Sequence, residues 1–333
     1  NILTDEDKDI LKKNKKEIIK FLLDHTESEI IVDEEDKYEK FPLTDIQLSY
    51  LVGQDNVYKF GGTNCKIYTE IEYEQIELNK AQYAWEQVIK YNDMLHAVIN
   101  QEGTQEILSS YTVPQIVFSD LSDMENAEVI IAQKRESLTK KQYRVGTWPL
   151  FDVEITKLKN KYILHISLDM LVADFVSINV ILNEFEEVYY NGKLSFKQQL
   201  SFRDIVLYKE SLKKTVNGKK KYEEDKKYWE KRIPRLSEVP EFPVVEQQEK
   251  EVLFTQYKFF LESDEYEKLC DLAKNFQLTT SSLILTAYAE ALRKISKNQS
   301  FCIDVTMVDR PPFHPSIDRV IGDFTTANIL EVE

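Results

Sequence analysis

The 333-residue chain has only three cysteines, and Cys65, Cys270 and Cys302 are odd in number and widely spaced. No CxxC or Cys/His pair has zinc-ligand spacing, and the four histidines (His25, His96, His165, His314) lie far apart. A disulfide framework and a structural metal are therefore not expected, and a reducing, cytoplasmic compartment is the default expectation. Eight glycines and nine prolines are too few for a fibrous or low-complexity chain. No apolar run reaches the roughly 20 residues of a membrane-spanning helix. The opening Asn1-Ile-Leu-Thr-Asp-Glu-Asp has neither a basic start nor a signal-like core. It also lacks an initiator Met, which suggests a chain cut from something longer. Basic residues are in the minority, giving a formal net charge of -15. Such a surface repels phosphate backbones, so nucleic acid is not an expected partner.

What is present is apolar and aromatic: 42% and 11% of residues, enough for two cores in two lobes. Thr4–Asp24 has a helical pattern, followed by an acidic linker to Lys40. Thr44 caps a short helix that Gly53 ends. Ile67, Thr69, Ile71 and Tyr73 alternate as a strand, Leu78–Tyr91 repeats as a helix, and Met94–Asn100 reads as a strand. Pro114–Phe118, Phe151–Leu158 and Tyr162–Leu168 read as further strands, the last two forming a hairpin, with a helix at Ala127–Leu138. Ser177–Tyr190, Ser201–Lys213 and Gly218–Arg232 are helical. The Lys-rich stretch Lys213–Lys231 alternates with acids and aromatics, as a solvated amphipathic helix does. After the Pro-punctuated loop Leu236–Val244 come a strand at Leu253–Leu261 and helices at Asp264–Asn275 and Thr279–Ile295. Strands at Phe301–Val308 and Asn328–Val332 follow. Elements mix without strict βαβ alternation, which indicates an α+β fold.

Chemistry concentrates in Ile163-Leu-His-Ile-Ser-Leu-Asp169-Met-Leu-Val-Ala-Asp174-Phe-Val-Ser177. Two carboxylates sit five residues apart where a strand runs out in apolar surroundings. There they must be paired, hydrogen-bonded or shifted in pKa, because an unpaired buried charge costs several kcal/mol. Both are thus candidates for general acid/base work. Against that, Asp174 can cap the following helix or pair with an Arg, and the residues favour this reading. For Asp169 the readings are evenly balanced. Ser177 reads as the helix N-cap, since no His follows at a spacing suggesting a triad.

This segment resembles the Asp-x4-Asp-x2-Ser motif of the heterocyclization domains of nonribosomal peptide synthetases. It stands where ordinary condensation domains carry His-His-x3-Asp-Gly, so Asp169 and Met170 take the places of the two histidines. Phe41-Pro-Leu-Thr-Asp-Ile-Gln47, with Tyr50 and Gly53, is similar to the family's opening motif. Ser201-Phe-Arg-Asp204 resembles its Thr-Phe-Arg-Asp, Leu236–Val244 its proline motif, and Gly322-Asp-Phe-Thr325 a late motif. Departures are Gln54 for an Arg, Tyr91-Asn-Asp-Met-Leu-His96 for Arg-His-x-Met-Leu-Arg, and Lys66 for a common His.

The resemblance implies a two-lobed, chloramphenicol-acetyltransferase-like fold: an N-terminal lobe at 41–205 and a C-terminal lobe at 206–333, after a helix and linker at 1–40. It implies no directly bound cofactor. Phosphopantetheine arms would arrive on an upstream and a downstream peptidyl carrier domain, with an adenylation domain adjacent. The N-terminal helix is similar to the last helix of docking domains that engage an upstream synthetase subunit. The implied reaction joins an acyl or peptidyl thioester to carrier-bound Cys, Ser or Thr, then cyclodehydrates the amide to a thiazoline or oxazoline. Two alternatives stay open: a related acyltransfer domain that makes only the amide, and a non-catalytic carrier-docking domain. Asp169 and Asp174 are the candidate catalytic residues. Ser177, Gln47, Tyr50, Arg310, Asp323 and Thr325 are expected in the substrate tunnel or its supporting motifs, with Arg310 the expected cationic partner of Asp174. No metal ligand is expected. The chain ends soon after Thr325, before the Pro-Val-Val-Phe-Thr-Ser motif and the downstream Asp used for cyclodehydration. The second lobe is thus expected to be incomplete, and this stretch alone inactive.

Overall fold

A computed structural model describes residues 14–15, 30, 32, 35–55, 61–196, 199–243, 257, 259–312 and 314–333. The expected N-terminal helix lies almost wholly outside the described residues. The chain forms two compact units: residues 1–216 with 308–325, and residues 217–307 with 326–333. The expected boundary at 205/206 instead falls within a helix, and 308–325 belongs to the first unit rather than the second.

The first unit is built on β2 (Lys66–Tyr73), β7 (Tyr162–Asp169), β6 (Phe151–Lys157) and β5 (Val117–Asp120), hydrogen-bonded in that order. β7 runs antiparallel to β2 and β6, whereas β5 is parallel to β6. A smaller sheet, β1 (Phe41–Pro42), β4 (Thr104–Ile107) and β3 (Ala97–Ile99), lies apart from it. Here the strand expected over Met94–Asn100 is corrected. Asp93–His96 is a 3-10 turn, and only Ala97–Ile99 pairs, with the unforeseen β4. Met94, Leu95 and His96 are all buried, so their apolarity gave no two-residue alternation to separate turn from strand. β5 starts at Val117 rather than Pro114; a ring nitrogen without N–H cannot join the ladder.

One face of the large sheet is apolar. Leu164, Ile166 and Leu168 of β7 pack with Phe151, Val153 and Ile155 of β6 beneath two helices, α2 (Leu78–Tyr91) and α4 (Phe175–Asn191). On α2, Ala81, Ala84, Trp85, Val88 and Ile89 recur at helical spacing, and the Trp85 indole meets Phe151 edge-on at 5.2 Å. On α4, Ile178, Ile181, Phe185 and Val188 do the same. Gly192 ends α4 at φ 74°, donating its N–H to Val188, in the left-handed cap that glycine adopts without strain.

The opposite face carries polar groups from β2, β7 and β6, covered by α3 (Ala127–Lys140). Glu70 of β2 accepts two hydrogen bonds from Arg135 of α3, at 2.6 and 2.8 Å. His165 is fully buried beside it, its ring nitrogens 2.9 Å from the Tyr68 hydroxyl and 3.0 Å from Thr156 Oγ1. Asp169 ends this same polar row of β7, opposite Lys66.

Further helices are α1 (Asp45–Gly53), α5 (Phe202–Lys214), and, in the second unit, α6 (Val216–Arg232), α7 (Ser263–Asn275) and α8 (Thr280–Ile295). β8 (Phe301–Val308) pairs with β9 (Thr325–Val332), which starts three residues before the expected Asn328. The strand expected at Leu253–Leu261 lies largely outside the described residues. Its described positions, Tyr257 and Phe259–Leu261, are not in a strand. Among the described residues, no helix is long and apolar enough to cross a membrane.

Partial burial opposes ionisation of Glu70, but Arg135 and Tyr68 outweigh it and hold its pKa at about 2. Its folded pKa is thus depressed. The stability it contributes is present above the ordinary carboxylate range and is lost as pH falls toward 2. Arg135→Ala should therefore cost about 1–2 kcal/mol near pH 7, with the gap to the unsubstituted protein closing toward pH 2. Urea unfolding across that range measures it.

Candidate functional site

The site is assembled around the seven-residue passage from the end of β7 into α4. Gln47 fixes its first half. Thr44 and Gln47 form a capping box at the start of α1, with Gln47 Oε1 accepting from the Thr44 N–H at 2.9 Å. The rest of the Gln47 amide, wholly buried, donates to the Leu171 carbonyl at 2.6 Å. It also pairs reciprocally with the Gln105 amide of β4 at 3.0 Å. One side chain thus joins helix start, small sheet and loop, and Gln47 supports the loop rather than reaching toward a reactant.

Asp169 is 1% exposed. Its Oδ1 accepts the Leu171 N–H at 2.9 Å, and its Oδ2 accepts from Asn64 Nδ2 at 2.7 Å. Asn64 in turn donates to the Tyr143 carbonyl at 3.1 Å. Burial pushes the Asp169 pKa up to about 6, against the pull of those two donors and of Lys66. A carboxyl held there exchanges a proton near neutrality, as a general acid or base must. Asn64, Tyr143 and Gln105 had no signal in the sequence, because their partners are 105, 24 and 58 residues away.

Asp174 has a different environment. It is the N-cap of α4, its Oδ1 accepting the Ser177 N–H at 2.7 Å. Ser177 is therefore not the cap that sequence suggested. It lies three residues into the helix, donating its hydroxyl to the same Oδ1 at 2.7 Å. Arg310 supplies the cation: Nη2 lies 2.9 Å from Asp174 Oδ1 and 3.1 Å from Oδ2, with the Arg and Asp side chains 5% and 0% exposed. Its Nη1 donates to the Ile317 and Val320 carbonyls at 3.0 and 2.7 Å, and its guanidinium stacks 4.1 Å from the Phe324 ring centroid. Asp174 is thus occupied wholly by structure.

The Gly322–Thr325 turn is docked onto this pair by its backbone. The Phe324 N–H reaches Asp174 Oδ2 at 3.3 Å, the Asp174 N–H reaches the Gly322 carbonyl at 3.1 Å, and the Gly322 N–H reaches Ser177 Oγ at 3.2 Å. A Cβ on Gly322 would sit 2.2 Å from Phe202 Cδ2, so only glycine permits this approach. Asp323, 2% exposed, accepts the Thr325 N–H on Oδ1 at 3.0 Å, while its buried Oδ2 has no partner among the described residues. Burial, and secondarily the Asp174 charge, push its pKa up to about 7 against the Thr325 bonds and Arg310. Tyr50 is half-buried, and burial, with the negative charge of Asp323, raises its pKa. All eight expected site residues therefore fall in the first unit.

The model of the condensation domain matches residues 37–332. The chain belongs to the condensation-domain family. Within it, bacitracin synthase 1 of Bacillus licheniformis is 32% identical over 90% of this chain. Phenyloxazoline synthase MbtB of Mycobacterium sp. (strain MCS) is 26% identical over 88%. Because the chain spans 6% and 25% of those proteins, it corresponds to one portion of each. The cyclization-docking bidomain of EpoB, a nonribosomal peptide synthetase from Sorangium cellulosum, superposes with a TM-score of 0.84 at 25% identity. It covers 99% of this chain and 66% of that one. The α+β architecture is that of the condensation-domain fold.

Removing one member of a buried ion pair strands the other's charge. Arg310→Ala should destabilise the protein by about 3–5 kcal/mol. Gly322→Ala should cost about 1–3 kcal/mol by forcing Phe202 aside. Thermal melting checks both, and a near-neutral Arg310→Ala would refute the first.

Proposed function

We propose that this chain is a heterocyclization domain, joining a carrier-bound acyl or peptidyl thioester to carrier-bound Cys, Ser or Thr and closing the amide to a thiazoline or oxazoline. The observation that carries the reading is the β7–α4 passage. Where an ordinary condensation domain has two histidines, this chain has Asp169, its pKa pushed up to about 6 by burial, and Met170. An imidazole base is thereby replaced by a carboxyl able to hold or release a proton near pH 7. The names of the relatives support the reading, since one is a phenyloxazoline synthase and a close structural neighbour is a cyclization bidomain.

On this reading, most of the rate acceleration comes from holding two tethered reactants together. The amine attacks the thioester carbonyl and expels the phosphopantetheine thiol. The acceptor's side-chain thiol or hydroxyl then adds to the new amide carbonyl. Departure of that carbonyl oxygen as water requires a proton donor, and formation of C=N requires the nitrogen to lose its proton. The partners are upstream and downstream peptidyl carrier domains, which deliver the phosphopantetheine arms, and an adjacent adenylation domain. The segment at residues 1–40, with the helix expected there from its sequence, would dock an upstream synthetase subunit.

The test uses the synthetase carrying this domain, with both carrier domains loaded and the product mass measured. A ring-closed product is expected, lighter than the amide by one water. An amide that never loses water would replace this reading with simple amide synthesis, and no transfer at all with a docking role.

A further inference from the structure

We propose that Asn64 is the positioning residue of the amide-forming step, its Nδ2 holding the Asp169 carboxyl ionised and oriented to take the proton of the attacking amine. This deepens the function proposed above and rests on the role given there to Asp169.

Asn64 is buried in the segment entering β2 and is held from three directions. Its backbone N–H donates to Gln142 Oε1 at 3.0 Å. One hydrogen of Nδ2 goes to the Tyr143 carbonyl at 3.1 Å and the other to Asp169 Oδ2 at 2.7 Å. A backbone carbonyl can only accept, so the Tyr143 contact fixes which end of the side-chain amide faces it. The second N–H is thereby aimed at the carboxyl. Gln142 and Tyr143 belong to one short segment after α3, and the Lys141 carbonyl of that segment accepts from Lys66 Nζ. Tyr143 anchors the segment to the sheet, its hydroxyl 3.1 Å from the Ser167 carbonyl of β7 and 3.0 Å from Asp152 Oδ2 of β6. Three consecutive residues thus turn Asn64 onto Asp169 and keep the Lys66 ammonium on a carbonyl.

That arrangement determines what Asp169 can do. Oδ1 accepts the Leu171 N–H and Oδ2 the Asn64 N–H, which fixes the carboxyl plane and leaves one lone pair on each oxygen. The titratable groups facing it are Cys65 and Lys66 at the start of β2 and Tyr143 after α3. The acid of the neighbouring β6, Asp152, lies opposite Ser167 and is held by Lys141 and Tyr143. Burial favours the protonated acid, and the Asn64 N–H, bonded to the ionised form, opposes it. Without that donor Asp169 would keep its proton at neutral pH and could accept none.

The step balances between substrates and carboxyl. The amine nitrogen bonds to the thioester carbonyl carbon, and Asp169 takes one of its protons. The C–S bond then breaks, and Asp169 returns that proton to the departing sulfur. Amide and thiol account for all the atoms, and Asp169 ends ionised, as it began. Asp169 meets the reacting nitrogen, whereas Asn64 acts only through Asp169. Dehydration to the ring is left to the downstream Asp of the family pattern.

Two measurements test this. In the chain isotope-labelled at aspartate, the Asp169 carboxyl NMR signal is identified by its loss in Asp169→Asn and followed with pH. In Asn64→Leu its pKa should rise from about 6 to about 7–8. Asn64→Asp, of unchanged size, should move it the same way through like charge. In the loaded synthetase, the rate of amide formation by Asn64→Leu is divided by the unsubstituted rate at each pH from 6 to 9, so that titration of the acceptor amine cancels. The loss should be about tenfold at pH 6 and about threefold or less at pH 9, where Asp169 is ionised in both. Melting curves control for folding, and Asn64→Asp decides if the Leu variant does not fold. An Asp169 titration unmoved in a folded variant overturns the proposal. So does a loss equal at every pH, as a merely structural role would give, or undiminished amide formation by Asp169→Asn. An unsubstituted synthetase that yields amide without ring refutes heterocyclization alone, since Asn64 is judged on the amide, and an absence of transfer defeats both.

Discussion

One ion pair organises the first unit. Taking Asp174 and Arg310 out of water costs several kcal/mol per ion, and their mutual attraction offsets this only if every remaining donor and acceptor is also matched. That condition is nearly met. The Asp174 oxygens receive the Ser177 N–H and hydroxyl, the Phe324 N–H and the guanidinium. Arg310 Nη1 is satisfied by two carbonyls, and of the guanidinium nitrogens Nε is buried without a partner among the described residues. To supply those matches, the start of α4 and the segment 308–325 must meet in one register. The pair therefore dictates where a stretch more than 130 residues away enters the unit.

The same constraint separates the three buried carboxyls. Asp174 has the cation and capping bonds, and it holds structure. Asp169 has two neutral donors and, among the described residues, no close ion pair, so burial prevails and its pKa rises. Asp323 has a single well-defined backbone donor and lies beside the ionised Asp174, so it rises further. Residue type is identical in all three, and the number and charge of the donors assign the roles. This is how like groups in one site come to hold protons at different pH.

Much of this was legible in the chain. A helix with a clean apolar stripe, such as α2, or with a capping box, such as α5, stands where spacing placed it. So does the β6–β7 hairpin. The demand for a cation opposite Asp174 followed from burial physics, and Arg310 meets it. Ser177 shows the limit of such reading. A serine ahead of an apolar helix looks like a cap, yet Asp174 three residues earlier is a better acceptor and takes the position. The turn at Asp93–His96 was illegible for another reason, since a run of buried residues has no polar face to reveal its period. Asn64, Tyr143 and Gln105 could not be found, because what makes each one matter is a partner brought close only by the sheet.

The departures from the family pattern acquire a physical meaning in this setting. Lys66 sits opposite Asp169 across β2 and β7, where the family commonly has a histidine. Burial lowers the Lys66 pKa, while Asp169 pulls it upward, and its ammonium donates to the Lys141 carbonyl. It adds positive potential near Asp169 without pairing to it. Had Lys66 closed on that carboxyl, a close ion pair would have favoured the charged form of Asp169. Held instead by the amide of Asn64 and the N–H of Leu171, Asp169 keeps a proton affinity near neutrality. A neutral donor shell on one carboxyl and a guanidinium on the other is the physical difference between the two acids of this loop.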